Sequence, residues 1–307
     1  MMHKLRARLK TILELRKPTL EGDRYTIKNA LAFFAKSKGV VKLSNGYQVS
    51  YNKENKQDLI AIIVFALRNG IRFGDKEGQW KLDPVNQVVE THQGIKFNIH
   101  KAGLLGETFL YQVHFSGFNL NNKIVVTAGA YIGDTPLFYS KYGAKVYGFE
   151  PDPESYALAL KNLSLNPELS KNIIIKNYAI GKDEEIEFTV NSDDPAGSSI
   201  YASKKNKTIR VKSKSIAGIL REFDILDPYL LDLDIKGSEY YLIEDSSIKN
   251  FQKVRIEYSP YLFKSKEKTL EYLTNKLKSY GFSNIRIYKH NAIRVDLSNH
   301  GTLEAEK

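Results

Sequence analysis

From Lys123 to Leu297, short runs rich in Val and Ile alternate with amphipathic helical stretches, and no other feature of the chain constrains its fold as strongly. Alternation of this kind specifies a largely parallel sheet with helices on its faces. The expected strands are Ile124–Ala128, Lys145–Glu150, Ile173–Tyr178, Tyr229–Leu233 and Val254–Tyr258. Between the first two, a helix with Pro136 near its start stops before Gly143. Asp152 caps the next, with Pro153 at its first position and Tyr156, Leu160 and Leu163 on one face, and Pro167 lies just beyond. Alternating Ile186, Phe188 and Val190, answered by Ile209 and Val211, suggest a hairpin-like insertion. Helices are expected over Ser215–Phe223 and over Lys266–Tyr280, the latter ending at Gly281. At the end of the chain, Ile285–Tyr288 and Ile293–Leu297 flank the turn signal His290-Asn291 and predict an antiparallel hairpin. The result is a seven-stranded sheet. A plain dinucleotide-binding domain has no reason to finish this way.

Residues 1–120 read as a separate α+β extension and 121–307 as the main domain. His3–Arg16 carries Leu5, Leu9, Ile12 and Leu13 at helical spacing before Pro18, and a second helix is expected over Tyr25–Lys36. Val40–Tyr51 reads as a hairpin turning at Asn45-Gly46, and Asp58 as the cap of a helix ending near Gly70. Val88–Glu90, Ile95–Ile99 and Tyr111–Phe115 read as short strands or extended connections. Residues 1–42 hold eleven basic and three acidic side chains, a net +8 of the chain's +11. Such a concentration suits peripheral contact with anionic lipid or RNA, or is simply a solvated basic helix. The chain has no cysteine, which excludes thiolate chemistry, and its six histidines show no zinc-ligand spacing, so no metal is expected. No apolar run reaches the roughly 18–20 residues of a membrane helix, and the N-terminus lacks the apolar core of a secretion signal. A cytoplasmic location is the default expectation.

The segment Val125–Thr135 (VVTAGAYIGDT) runs a buried strand into a turn bearing Gly129 and Gly133, then into a helix. Ligands of open α/β sheets bind at this edge, outside the carboxyl ends of the strands. Glu150 closes the second strand about twenty residues on, where a carboxylate can accept hydrogen bonds from both ribose hydroxyls of an adenosine ligand. The Gly-x-x-x-Gly spacing lacks the full pyrophosphate-binding pattern, whereas S-adenosyl-L-methionine (SAM) has no phosphates and its sulfonium suits an acid-lined pocket. Asp134 is either such an acid or a helix cap.

The string VVTAGAYIGDT, then VYGFEPDPESYALALKNLSLN, NYAIG, DPAGSSI and LLDLDIKGSEYYLI, resembles the FkbM family of SAM-dependent methyltransferases. The similarity runs in order over roughly Tyr47 to Asp296. It implies a class I, Rossmann-like methyltransferase fold and methylation of a hydroxyl on a sugar, glycan or small molecule. It also implies that Gly129, Gly133 and Glu150 contact SAM, that Ala179 and Ile180 lie near its adenine, and that Ser198 and Ser199 sit in a loop over the pocket. The expected cofactor set is completed by Thr127, Tyr131, Asp134, Thr135 and Pro151. The chain departs from the family at Thr127 (an acid elsewhere), Tyr131 (Asn), Lys236 (Glu) and Ser259 (His).

Methyl transfer to an alcohol needs alignment and a base. Asp234, ending the fourth strand beside the pocket, is the first candidate and Glu239 the second; Glu257 is a further carboxylate nearby. Competing functions are an RNA methyltransferase that uses the basic N-terminus, and a non-catalytic binding protein on the same fold. An NAD-dependent dehydrogenase conflicts with the glycine spacing and the terminal hairpin.

Overall fold

The computed structural model describes residues 27–68, 71–109, 119–190, 207–262, 269–289, 297 and 300–307. The chain divides into two compact units, 1–110 and 111–307. The basic helix expected over His3–Arg16, the extended segment Tyr111–Phe115, the turn His290-Asn291 and Ser198–Ser199 fall outside the described residues.

The first unit comprises α1 (Ala30–Ala35), the hairpin β1 (Gly39–Lys42) and β2 (Gln48–Tyr51), and α2 (Lys56–Arg68). A three-stranded antiparallel sheet follows, β3 (Lys81–Asp83), β4 (Val88–Glu90) and β5 (Lys96–Asn98), and then α3 (Leu105–Phe109). The expected hairpin is present, with Gly46 at φ 91° in its turn. Two expectations are corrected. The first described helix begins at Ala30 rather than Tyr25, because Ile27 bridges to Leu43 in extended form. Asp58 lies inside the first turn of α2 instead of capping it, since the helix already starts at Lys56. The strand β3, with only Leu82 buried, carries too little pattern to be seen in sequence.

In the second unit, β6 (Ile124–Ala128), α4 (Asp134–Lys141), β7 (Lys145–Phe149), α5 (Pro153–Ser164), α6 (Pro167–Ser170) and β8 (Ile173–Lys176) form the first half. Asp152 caps α5 through its side chain, accepting from Glu154 N–H at 3.2 Å. The inner face of α5 runs through Ser155, Leu158, Ala159, Asn162 and Leu163, while Leu160 faces solvent. That corrects the expected stripe by one residue. Pro167 opens α6 instead of merely ending α5.

A small sheet of β9 (Ala179–Ile180), β10 (Glu185–Val190) and β11 (Lys207–Lys214) forms the insertion, with β10 and β11 antiparallel. Then come α7 (Ile216–Glu222), β12 (Leu230–Leu233), α8 (Glu239–Leu242), β13 (Lys253–Tyr258), α9 (Leu270–Ser279), β14 (Asn284–Tyr288) and β15 (Gly301–Glu306).

The main sheet has the order β14-β15-β13-β12-β6-β7-β8, parallel throughout except for β15, which is antiparallel to both neighbours. The terminal antiparallel pair is formed by β14 with Gly301–Glu306, and residues 293–296 of the expected partner strand fall outside the described residues. Leu303 and Ala305 alternate there with Thr302 and Glu304, which are also buried because β15 is inserted between two strands. Ala and Glu have low strand propensity, so insertion rather than local preference makes this segment extended. The core beneath is built from the strand residues Val126, Leu231, Leu233, Val254 and Ile256, packed against Ile219, Leu273 and Leu277 of the helices.

Candidate active site

The carboxyl ends of β6, β7, β12 and β13 come together on one edge of the sheet. Gly129, at φ 82°, follows β6, and a Cβ placed on it would lie 2.0 Å from the carbonyl oxygen of Asp234. Asp234 N–H in turn donates to Ala128 O at 3.1 Å. Gly129 is therefore required by the close passage of the chain leaving β12. Gly133, at φ 83°, gives similar room to Ala159 and Leu163 of α5. The two glycines were expected to admit a ligand; protein packing alone already demands them.

Between them Tyr131 holds φ 44°, a left-handed conformation that a bulky residue rarely adopts. Its N–H donates to Glu150 Oε2 at 2.8 Å, and Asp152 N–H donates to Glu150 Oε1 at 2.8 Å. Asn177 fixes the peptides on either side by donating to the carbonyls of Glu150 (2.7 Å) and Pro151 (3.1 Å). Glu150, almost fully buried, thus turns its carboxylate onto the glycine turn. Each carboxylate oxygen can accept about two hydrogen bonds.

The other expected residues distribute unevenly. Asp134 and Thr135 are buried in the first turn of α4, where the cap position belongs to Gly133, so Asp134 is not the cap. Ala179 and Ile180 form β9 and are packed into hydrophobic clusters. Pro151 is partly exposed beside Glu150. Ser199 lies outside the described residues. Thr127 is buried, and its hydroxyl donates to Asp232 Oδ2 at 3.2 Å, so its side chain is engaged within the sheet.

That contact belongs to a row crossing the sheet in register: Thr127 on β6, Asp232 on β12, Arg255 on β13, Glu304 on β15 and Arg286 on β14. Arg255 donates to Asp232 at 2.5 Å with both side chains fully enclosed, and Arg286 pairs with Glu304. Tyr139 of α4 is fully buried close to Asp232, and burial holds its phenol well above the usual range.

On the site edge, carboxylates gather. Burial, then the neighbouring Glu257, drives the Asp234 carboxyl well above the ordinary range, and Lys236 and Arg255 oppose the shift. The residue as a whole is partly exposed, so it has access, while burial favours its protonated form. Lys236, at φ 40°, places Nζ 3.7 Å from Glu257 Oε1. His300 Nε2 lies 3.0 Å from the same oxygen. Nothing in the sequence singled out His300, which arrives from the segment before β15, 43 residues from Glu257. Among the described residues no set of His, Asp or Glu is arranged to hold a metal ion.

Glu239 is fully enclosed and accepts from Ser259 N–H at 3.0 Å, so it braces the segment after β13. Burial raises its carboxyl to about 7, against partial relief from surrounding backbone N–H groups. An acid that ionises near 4.5 when unfolded and near 7 when folded favours the folded state below the lower value. Its contribution is lost as pH rises through the upper one. Stability should therefore fall between about pH 4.5 and 7, with Asp234 acting in the same direction. Glu239→Gln should flatten that slope in denaturant titrations across the range; a slope identical to wild type would show that Glu239 does not titrate there.

Sheet order, reversed strand β15, glycine turn and strand-end acid together define a class I methyltransferase. The chain belongs to the FkbM methyltransferase domain family, whose model matches residues 128–284, just over half of the chain. A comparison with curated proteins found no match. Among solved structures, the METTL16 MTase domain is 12% identical, with 87% of this chain and 86% of that one covered and a TM-score of 0.43. Precorrin-6y C5,15-methyltransferase from Geobacter metallireducens GS-15 is 11% identical, covering 64% and 85%, with a TM-score of 0.35. The tRNA (m1A58) methyltransferase TrmI from Aquifex aeolicus is 15% identical, covering 66% and 68%, with a TM-score of 0.34. Among the described residues no helix is long and apolar enough to cross a membrane.

Proposed function

We propose that this chain transfers the methyl group of SAM to a hydroxyl of a sugar, glycan or small molecule. The observation that carries it is the Glu150 carboxylate, fixed against the glycine turn by two backbone N–H groups. A carboxylate at this strand end suits the two ribose hydroxyls of SAM, and Tyr131, Gly133, Asp134 and Thr135 line the same turn. When bound, SAM supplies an electrophilic methyl group. The chain's own residues hold the acceptor in line and take its proton.

The edge formed by Asp234, Glu257 and Lys236 presents no surplus of positive charge. This supports a neutral hydroxyl acceptor over a polyphosphate backbone, which needs a cationic surface. Burial and the neighbouring Glu257 favour the protonated form of Asp234, the first candidate base, which fits the role of a hydrogen-bond donor that positions the acceptor.

The test is calorimetry with SAM, followed by mass-spectrometric detection of methyl transfer to a panel of neutral mono- and disaccharides and to bulk RNA. Binding of SAM and transfer to a sugar are expected; transfer to RNA alone would overturn the hydroxyl reading. On the sugar that reacts, Asp234→Asn keeps a donor and should hold turnover within about fivefold, while Asp234→Ala should lose about tenfold, the worth of one hydrogen bond. Equal, large losses in both variants would restore Asp234 as the base.

A further inference from the structure

We propose that the exposed corner between α1 and β1 of the first unit is a docking surface for an anionic lipid bilayer. Residues 24–53 hold six basic side chains and no acidic one, the flanking acids being Asp23 and Glu54. Four of the six, Lys28, Lys36, Lys38 and Lys42, are exposed on this corner. Among the described residues none of the four is held in an ion pair.

The surface is built in advance of any partner. Ile27 bridges antiparallel to Leu43, Lys28 N–H donates to Lys42 O at 2.7 Å, and β1 pairs with β2 from Gly39 to Lys42. Side chains alternate along extended chain. Burial of Ile27, Val41, Leu43 and Val49 therefore turns Lys28, Val40, Lys42, Gln48 and Ser50 to the outer face. Asn29 locks the corner, its amide donating to Val40 O at 2.6 Å and its oxygen accepting from Lys42 N–H at 2.8 Å. Lys56, itself buried, donates to Phe34 O at 3.0 Å and Lys36 O at 2.7 Å, which fixes the end of α1. Every residue of the connection from Ala35 to Val40 is exposed.

The make-up of this corner favours lipid over nucleic acid. Its cations are all lysines, point charges suited to a headgroup layer, whereas paired recognition of phosphates favours arginine. Its rings, Phe33, Phe34 and Tyr51, are buried, so none is offered for stacking on a base. Aliphatic side chains are exposed instead, Leu31 at 67% on α1 and Val40 at 36% on β1. Lysines around exposed aliphatic groups match an anionic bilayer, whose headgroups meet the charge while the acyl boundary takes up the apolar carbon.

The test is flotation of the full chain with two kinds of vesicle, phosphatidylcholine alone and phosphatidylcholine with about one-third phosphatidylglycerol. Binding to the charged vesicles should be at least roughly tenfold tighter than to the neutral ones and lost at about 0.5 M salt. Equal binding to both, or none to either, overturns the proposal. These wild-type results stand even if a variant fails to fold.

The triple variant Lys36→Gln/Lys38→Gln/Lys42→Gln should bind charged vesicles about 100-fold more weakly, since each lysine near such a surface contributes about tenfold or slightly less. Leu31→Gln/Val40→Thr should weaken binding roughly fivefold by removing apolar carbon from the boundary. All five positions are exposed, so the melting temperature should stay that of wild type. Unchanged vesicle binding by the folded triple variant moves the contact elsewhere on the chain and overturns the proposal. Unchanged binding by the aliphatic variant, or tighter binding of bulk RNA than of charged vesicles at about 0.15 M salt, overturns the choice of lipid.

Discussion

Glu150→Gln is expected to weaken SAM binding by about two to four orders of magnitude. Both carboxylate oxygens accept a backbone N–H, from Tyr131 and from Asp152. Glutamine offers one acceptor oxygen, so its amide nitrogen must face an N–H donor whichever way it turns. The substitution therefore disturbs the turn and removes an acceptor for the ribose together. Hydrogen bonds to a charged group contribute roughly 1.5–3 kcal/mol each, and every 1.4 kcal/mol is tenfold in affinity. Calorimetry against SAM measures the loss directly. A glutamine variant that binds within about threefold of wild type would remove Glu150 from the cofactor site and leave it as a brace for Tyr131.

The second large effect concerns stability. Asp232→Ala leaves Arg255 fully buried without the carboxylate to which it donates at 2.5 Å. Glu304 neighbours Arg255 in register but pairs with Arg286, so relief from that side is partial. Breaking a buried ion pair on one side costs about 3–5 kcal/mol. For a unit of this size that lowers the melting temperature by roughly 10 °C. The double variant Asp232→Leu/Arg255→Met should recover most of the loss, because a matched apolar pair replaces a matched charged one. Thermal unfolding of the three proteins decides it: a double variant as unstable as Asp232→Ala would show that the ladder is needed as a charged unit. The row also gives Thr127 its place. With Asp232 already facing Arg255 and Thr127, an acid at 127 would set two carboxylates side by side on adjacent strands.

Most of the parallel sheet was legible because each strand is a short apolar run closed by glycine, proline or a cap, and such signals are local. Asp152-Pro153 and the glycine at 281 mark helix ends through backbone chemistry that does not depend on the rest of the protein. The strand inserted between β13 and β14 was not legible, for the opposite reason. Gly301–Glu306 is extended because β13 and β14 enclose it, and its own residues carry no such preference. The buried face of α5 slipped by a residue because Leu160 is as apolar as Leu163, and only the neighbouring strands decide which of them is covered.

The sequence by itself determined the class of fold, the turn at Gly129–Gly133 and the acid at Glu150, since spacing along a strand–turn–helix unit fixes where those groups emerge. Register and strand insertion, which exist only between distant segments, decided the rest. They set Asp232 against Arg255, raise the Asp234 carboxyl by burying it beside Glu257, and deliver His300 to that same carboxylate from the far end of the chain.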